Sequence, residues 1–325
     1  MKESVWLSGR VGSFAEAEAI LQRVGHVSMS SSTIWRRVEK WGEEFKGLAQ
    51  KRQEQVRVLP SVDQVMKGAA KQTGRKGVAM DGAMVHLREE GWKELKVGCV
   101  FDIETRTEFD KGSGEQIDMG HAVNNSYVAH LGGPEDFGNL LWAEAQTRGW
   151  EQVYETQSIG DGARWIWNLT NEHFFDSLQT VDWYHATEHL YLAAQLQYPH
   201  NEPALKRWYN RAETMLFQGH ADRVAHDLKQ HAKDHPSRAK DIRTQAHYFE
   251  NNKRRMQYLE FREEGYLIGS GMVESGAKQF KARFTGPGMR WSRQGIERLI
   301  PVRAAIMSNQ FDTLWSHVYH KSPPN

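Results

Sequence analysis

Residues 77–103 have the sequence GVAMDGAMVHLREEGWKELKVGCVFDI, in which a polar, glycine-containing turn separates two apolar runs. The runs at residues 77–87 and 92–103 are rich in residues that favour strands, so the stretch predicts two paired β-strands. Asp81 stands inside the first predicted strand, among small and apolar neighbours. A carboxylate in such a strand is costly to bury unless it is paired or bound to a metal, which makes Asp81 a candidate site residue.

The chain downstream of this hairpin alternates between strand and helix patterns. Residues 105–124 are rich in Gly, Asp, Glu and Ser, which predicts a loop or irregular excursion. The elements predicted after it are a strand at 126–132, a helix at 137–148, a strand at 154–160, a helix at 163–169 and a strand at 177–182. Three strands in a row, then helix, strand, helix and strand, indicate an α/β fold with a mixed sheet.

Two further acids complete a candidate site. Asp161 follows the fourth predicted strand, at the carboxyl end where open sheets place their sites. Glu274 lies in YLIGSGMVESGAKQFKARF, residues 266–284, whose glycines and serine suit a turn before a helix. On that helix Lys278 and Lys281 share a face with Glu274, as in any solvated Glu–Lys pair. If the first and fourth strands are neighbours, three carboxylates can converge and hold two Mg²⁺ ions.

The N-terminal segment predicts two helices joined by a turn at Gly25. The second helix begins near three serines and carries an apolar stripe of Ile34, Val38, Trp41 and Phe45. Arg36, Arg37 and Lys40 lie off the stripe and are expected to face outward. This layout fits a DNA-binding helix-turn-helix, and it also fits a plain helical hairpin with a charged outer side.

The C-terminal half is predicted to be helical from residue 184 to 264 and basic after Glu274. Against one acid, Glu297, residues 277–303 contain Lys278, Lys281, Arg283, Arg290, Arg293, Arg298 and Arg303. Phe284, Met289 and Trp291 are interleaved with them. Arginines among aromatic residues can grip a nucleic-acid backbone and stack on unpaired bases, or they can form a solvated face above core aromatics.

Composition excludes several classes of protein. A hydrophobic fraction of 39% in 325 residues indicates a packed globular protein, and a net charge of +1 excludes a general polycation. Cys99 is the single cysteine, which excludes disulfide frameworks and cysteine-rich zinc modules. No apolar run has membrane-spanning length and no signal peptide is recognisable, so a soluble intracellular protein is expected.

Several motifs resemble those of bacterial insertion-sequence transposases of the DDE, RNase H-like superfamily, and within it the Kra-type family, a relative of the mutator-like transposases. The motifs, in chain order, are MDGAMVHL, GWKELKVGCVFD, AHLGGPEDFGNLLW, IGDGARWIWNL, VDWYHATEHL and GSGMVESG. The resemblance implies an RNase H-like mixed sheet interrupted by an all-helical insertion. The implied regions are a helix-turn-helix unit at 1–50, a linker at 51–76, a catalytic core at 77–185 and 266–325, and the insertion at 186–265.

The same resemblance assigns roles to residues. It places the two aspartates and the glutamate of the family, which bind two Mg²⁺ or Mn²⁺ ions, on Asp81, Asp161 and Glu274. An auxiliary motif of the mutator-like relatives, Cys or Asp followed by two residues and His, falls on Asp182 and His185. Asp182 also follows a predicted strand, so it remains an alternative to Asp161, and His185 can equally be a satisfied histidine under the sheet.

The function implied by the resemblance is DNA transposition. Such an enzyme binds the ends of an insertion element, cleaves phosphodiester bonds and joins the 3′ ends to target DNA, as a dimer or larger assembly at the bacterial nucleoid. The residues expected to contact DNA are Arg36, Arg37, Lys40, Lys278, Lys281, Arg283, Arg290 and Arg293. Two alternatives are a non-catalytic remnant or repressor that binds element ends, and a structure-guided nuclease without strand transfer.

Overall fold

The computed structural model describes residues 1–57, 72–110, 114–286 and 288–321, and its centre is a five-stranded sheet in the order β3-β2-β1-β4-β5. The strands are β1 (Gln72–Leu87), β2 (Gly91–Asp110), β3 (Glu115–Leu131), β4 (Val153–Gly160) and β5 (Leu178–Val181). β1, β2 and β3 form an antiparallel meander, β4 runs parallel to β1, and β5 runs parallel to β4. The predicted mixed α/β fold and the neighbouring first and fourth strands are therefore confirmed.

Helices surround the sheet and fill the segment between β5 and the last part of the chain. They are α1 (Lys2–Arg10), α2 (Phe14–Arg23), α3 (Ser31–Arg57), α4 (Pro134–Thr147), α5 (Arg164–His173), α6 (Trp183–Gln197), α7 (Glu202–Phe217), α8 (Ala221–Asp234), α9 (Ala239–Asn252), α10 (Tyr258–Glu263), α11 (Gly271–Phe284), α12 (Arg293–Met307) and α13 (Phe311–Lys321). Short 3-10 turns occupy Trp150–Gln152 and Lys253–Arg255. Within the described ranges, no helix combines the length and the apolar character that crossing a bilayer requires.

The loop predicted at residues 105–124 is wrong. β2 continues to Asp110 and β3 begins at Glu115, so most of this segment is a two-stranded ribbon that extends beyond the end of β1 pairing at Ile103. The polar composition misled the interpretation because the ribbon has no continuous apolar alternation to reveal it. Paired backbone groups and a side-chain bond from Thr107 Oγ1 to Asp118 Oδ1 (2.6 Å) hold it instead.

Each face of the sheet contacts its own hydrophobic core, because successive strand residues point to opposite sides. Ala79 belongs to the core shared with α3, α11, α12 and α13. Its neighbour Met80 belongs to the core shared with α4, α5 and the helices of residues 183–258. The helical segment between β5 and α11 is thus packed onto one face, while the N-terminal and C-terminal helices cover the other.

The N-terminal helices are joined to the sheet rather than separated from it. The predicted stripe is buried as expected, but Val38, Trp41 and Phe45 lie in the core beneath the sheet, and Trp41 packs 4.5 Å from Trp315 of α13. The linker predicted at residues 51–76 overlaps regular structure at both ends. α3 continues to Arg57 and β1 begins at Gln72, whereas residues 58–71 lie outside the described part of the chain.

Candidate active site at the strand ends

Three aspartates lie side by side where β4 and β5 end beside the middle of β1. Pairing between β1 and β4 stops at Ala79 and Ile159, so two residues further on Asp81 lies level with Asp161. Pairing between β4 and β5 stops at Gly160 and Val181, and the next residues are Asp161 and Asp182. The strand register therefore sets Asp81, Asp161 and Asp182 in a row along one edge of the sheet.

Asp81 and Asp161 are held by their own backbones and keep free acceptor oxygens. The Gly82 amide donates to Asp81 Oδ1 (2.7 Å), and the Ala163 amide donates to Asp161 Oδ1 (2.7 Å). The second oxygen of each carboxylate has no hydrogen-bond partner among the described residues. Both side chains are half-buried. Each can therefore accept a cation or a donor group without breaking an existing bond.

Asp182, in contrast, is fully buried and fully bonded. Its Oδ1 caps α6 by accepting from the His185 amide (2.9 Å) and lies 3.1 Å from the His185 ring Nδ1. Its Oδ2 accepts from the Ser270 amide, and the neighbouring Trp183 amide donates to the Ile268 carbonyl (2.8 Å). Asp182 thus fastens the end of β5 to the turn that precedes α11.

That turn delivers Glu274 to the row. Glu274 lies in the first turn of α11, where its Oε1 accepts from Ser270 Oγ (3.3 Å) and its Oε2 lies 3.6 Å from Lys278 Nζ. The Glu–Lys spacing predicted on one helix face is therefore present. Gly276 explains how α11 comes this close to the sheet, because a Cβ at that position would lie 2.6 Å from a ring carbon of Tyr127.

The side chains that the fold brings nearest to one another are Asp182, His185 and Glu274. One ligand atom from each lies within 4.8 Å of the other two, a spacing that a metal ion can bridge. Among the described residues, this is the group of at least three His, Cys, Asp or Glu side chains whose ligand atoms lie this close together. Asp81 and Asp161 flank it on the neighbouring strands. The choice between Asp161 and Asp182 as the second acid therefore stays a prediction.

Electrostatics link the flanking aspartates to this group. Burial raises the pKa of Asp81, and the negative charges of Asp161 and Glu274 raise it further, against the bond from Gly82. The hydrogen bond to Asp182 raises the pKa of His185 to about 9, so its ring is protonated at neutral pH. For Asp182, burial favours the neutral acid, but the bonds from His185 and Ser270 outweigh it and lower the pKa. Four carboxylates thus face one imidazolium and the ammonium of Lys278, which leaves net negative charge at the site.

Two residues that the sequence analysis missed position the site. Gln157 of β4 is fully buried, and its side-chain amide donates to the Leu267 carbonyl (2.6 Å) and accepts from the Leu267 amide (3.2 Å). Tyr248 of α9 donates to the Asp161 carbonyl (3.0 Å) and covers Gly162, whose φ of +101° favours glycine. Gln157 could have been identified from the sequence, because it is a polar residue at an inward position of a predicted strand. A side-chain amide buried there needs hydrogen-bond partners. Tyr248 carried no local signal, because its partner is 87 residues away.

The residues predicted to contact DNA divide into exposed and engaged side chains. Arg36, Lys40, Lys278, Lys281 and Arg290 are exposed. Arg37 is half-buried near Ser4 and Met29, and Arg293 makes a bidentate pair with Glu90 (2.7 Å for each contact). Arg283 is only 3% exposed and donates to the carbonyls of Ser8 and Gly12, so it faces the interior rather than a surface ligand.

Comparison with known proteins adds a family but no activity. A search of curated proteins gave no match. A family model described as an uncharacterised protein family, UPF0236, matches residues 120–317, more than half of the chain. The match includes Asp161, Asp182, His185 and Glu274, and it begins after Asp81. The chain therefore belongs to the uncharacterised protein family UPF0236.

Proposed function

We propose that the chain is a DDE-type DNA transposase whose sheet is RNase H-like. The proposal depends on one observation above all: strand register aligns Asp81, Asp161 and Asp182, and α11 brings Glu274 to the same edge. The strand order β3-β2-β1-β4-β5, with helices α6 to α10 between β5 and α11, supports the RNase H-like interpretation. The motif resemblance described above supports the same class.

The donor set fits hard divalent cations. Carboxylate oxygens are the ligands that Mg²⁺ and Mn²⁺ prefer, and the free oxygens of Asp81 and Asp161 are available without breaking hydrogen bonds. Two bound ions would stabilise both the attacking and the leaving oxygen of a phosphodiester. The residues themselves supply several carboxylates in one place, net negative charge and a partly dehydrated environment. The raised pKa of Asp81, which is caused mainly by burial, reflects that dehydration.

In this proposal Asp81, Asp161 and Glu274 are the metal ligands, and Asp182 is a positioning residue. Both oxygens of Asp182 already accept hydrogen bonds from His185 and Ser270, so metal binding there would compete with the bonds that hold α11. Asp161→Asn is therefore expected to abolish cleavage while the protein stays folded. If Asp161→Asn cleaves normally and Asp182→Asn is folded but inactive, the second ligand is Asp182.

Double-stranded DNA is the proposed partner. Lys278 is 78% exposed in its side chain and lies beside Glu274 on α11, with Lys281 exposed on the same helix. Ammonium groups at this distance from the carboxylates can neutralise the phosphates of a strand that crosses the site. α2 and α3 provide the proposed helix-turn-helix, with Arg36 and Lys40 exposed on its second helix. A dimer or larger assembly on paired element ends is part of the same proposal.

The test compares wild type with Glu274→Gln on linear DNA that carries the sequences flanking the gene, with Mg²⁺ and with EDTA. Strand cleavage by wild type is expected only with the metal, and Glu274→Gln is expected to lower the rate more than about 100-fold, because a ligand carboxylate is lost. Glu202→Gln is the matched control, since Glu202 forms the same i,i+4 pair with Lys206 on an exposed helix face.

Three outcomes would separate the candidate functions. Cleavage that joins precut 3′ ends to a second DNA supports transposition. Cleavage without joining indicates a nuclease. Tight binding of the flanking DNA with no metal-dependent scission contradicts the enzyme and indicates an end-binding protein.

A further inference from the structure

A second region of the molecule combines aromatic walls with more positive than negative charge. Phe14, Trp35 and Trp291 meet edge to face, with ring centroids 5.3 to 6.2 Å apart. They line a cavity of about 340 Å³, which we call the aromatic cup, together with Arg88, Arg290 and Ser292. The cup joins parts of the chain that are far apart in sequence, because β1 bridges to Trp291 at Leu87 and the Arg88 amide donates to the Trp291 carbonyl (2.9 Å).

Buried arginines lie directly behind the aromatic rings. The guanidinium of Arg283 lies 4.9 Å from the ring centroid of Phe14 and 5.2 Å from that of Trp291. Arg303, 6% exposed, lies close enough that its charge helps to lower the pKa of Arg283 to about 10, after the larger effect of burial. Both arginines stay protonated at neutral pH, so two like charges are buried next to each other.

No carboxylate in the described part of the chain lies within 4 Å of either guanidinium, and one acid, Glu16, acts on Arg283 from further away. Arg283 donates to the carbonyls of Ser8 and Gly12, and Arg303 donates to those of Gly9, Arg10 and Gln279. Arg283 Nη2 and Arg303 Nε are buried without a hydrogen-bond partner among these residues. Since buried cations are normally paired, the protein carries excess positive charge behind the cup.

The rim of the cup adds to that charge. Arg290 is exposed and makes no ion pair among the described residues, whereas the exposed Arg88 forms an ion pair with its sequence neighbour Glu89 (3.3 Å). Ser292 caps α12 by accepting from the Gly295 amide (3.2 Å), so the amino end of a 15-residue helix opens at the same place. A ligand that fits must present a flat aromatic surface to the rings and negative charge to the arginines.

We infer that the aromatic cup binds an unpaired nucleotide of a DNA strand, with the base against Trp35 and Phe14 and the phosphates against Arg88 and Arg290. The inference rests on the proposed function in taking DNA as the ligand. The cup lies about 20 Å from Asp81, given six residues of β1 at ~3.3 Å each. A strand that crosses the acidic site can therefore reach the cup within about six nucleotides.

The experiment measures binding in EDTA, so that no catalysis is needed. Fluorescence anisotropy compares a single-stranded oligothymidylate with an abasic oligonucleotide of the same length and phosphate number. Wild type is expected to prefer the strand with bases by roughly 5- to 150-fold, the range for stacking one base on aromatic side chains. Equal affinity for the two strands overturns the inference.

Variants locate the preference. Trp35→Leu keeps an apolar side chain but removes the stacking surface, and it is expected to abolish the preference while affinity for the abasic strand stays unchanged. Trp142→Leu is the control, since Trp142 is a half-buried tryptophan on the opposite face of the sheet. Arg290→Gln alters an exposed side chain without a packing role and is expected to weaken binding of both strands. If Trp142→Leu abolishes the preference, or Arg290→Gln leaves both affinities unchanged, the assignment to the cup is wrong.

Two further measurements separate this inference from the proposed function and from a free-nucleotide site. Glu274→Gln is expected to keep the full preference for bases. A preference that survives in a protein that never cleaves DNA leaves the cup valid and the transposase proposal wrong. Competition by thymidine monophosphate that is as strong as competition by the oligonucleotide would show that the cup binds free nucleotides, and the strand assignment would fail.

Discussion

The two ends of α11 lie in regions of opposite charge. Its first turn holds Glu274 beside three strand-end aspartates, whereas its last turn holds Arg283 behind the aromatic cup, about 14 Å away at 1.5 Å per residue. The helix dipole favours both arrangements, because the carboxylates lie at the amino end of α11 and the guanidinium lies at its carboxyl end. Each region nevertheless has more charge than its protein neighbours neutralise.

Elsewhere the same sheet compensates its charges. Asp102 of β2 pairs with Lys76 (2.7 Å) and Arg148 (3.2 Å) and accepts from Asn124 (3.0 Å). The comparison shows that the sheet can neutralise a half-buried carboxylate with its own side chains, as at Asp102, and does so less completely at the two ends of α11. Charged ligands, cations at one end of α11 and phosphates at the other, would supply what the protein omits.

The largest expected effect on stability comes from replacing Asp182, the aspartate of the acidic region whose two oxygens are both hydrogen-bonded. Asp182→Ala is expected to lower the free energy of unfolding by about 3 kcal/mol, because it leaves the Ser270 amide without an acceptor and His185 without its partner. Urea denaturation at pH 7 measures this. Asp161→Ala is the comparison and should change stability by less than about 1 kcal/mol, because its side chain is half-buried and makes one backbone bond. An equal loss of unfolding free energy in both variants would contradict the distinction between Asp182, which holds the fold together, and Asp161, which keeps an unbonded oxygen.

A smaller effect is expected where α11 touches the sheet between the two regions. Gly276→Ala places a Cβ 2.6 Å from Tyr127, and this overpacking should destabilise the protein by about 1–3 kcal/mol. Gly47→Ala in α3 has no atom within 4 Å of the new Cβ, so the higher helix propensity of alanine should stabilise it by about 0.5–1 kcal/mol. Thermal unfolding of the two variants should shift in opposite directions. A stabilised Gly276→Ala would show that α11 is not packed against Tyr127.

The smallest effect on stability is expected for Asp102, the aspartate whose charge is compensated by Lys76 and Arg148. Burial raises the pKa of Asp102, but the bonds from Lys76 and Asn124 outweigh it, so the folded-state pKa lies below the unfolded value. Its contribution to stability is therefore present above the unfolded pKa near 4 and is lost as the pH falls through the folded-state pKa. Asp102→Asn should cost about 1 kcal/mol at pH 7, and less at pH 3, in urea titrations. A cost that grows towards pH 3 would contradict the direction of the shift.

Local sequence patterns were sufficient for most of the fold. The strand-favouring runs at residues 77–87 and 92–103, the glycine after β4 and the helical spacing after Asp182 predicted the order of elements along the chain and the helical segment, because these signals act within a few residues. They failed at residues 105–124, where the ribbon has no continuous apolar face, and they did not locate the end of α3, which continues through polar residues to Arg57.

The candidate site was predicted in part. Asp81, Asp161, Glu274, Asp182 and His185 were all identified as site residues, and the fold brings their elements to one edge of the sheet. The closest grouping, however, is Asp182, His185 and Glu274, because the Ser270 amide and Gln157 fix the turn before α11 on β4 and β5. Distances of this kind depend on contacts between residues 88 and 110 positions apart, which no local pattern encodes.

The residue types could be identified without a structure: the acids after apolar strands, the basic stretch after Glu274, and the aromatic residues interleaved with it. How each of them is used depends on the packing of distant segments. Arg283 was predicted to contact DNA directly, yet packing of α1 and α2 against α11 buries it behind Phe14 and Trp291. The reason is physical: the charge of a side chain is fixed by its chemistry, but its exposure and its partners are fixed by contacts that form only when distant segments fold together.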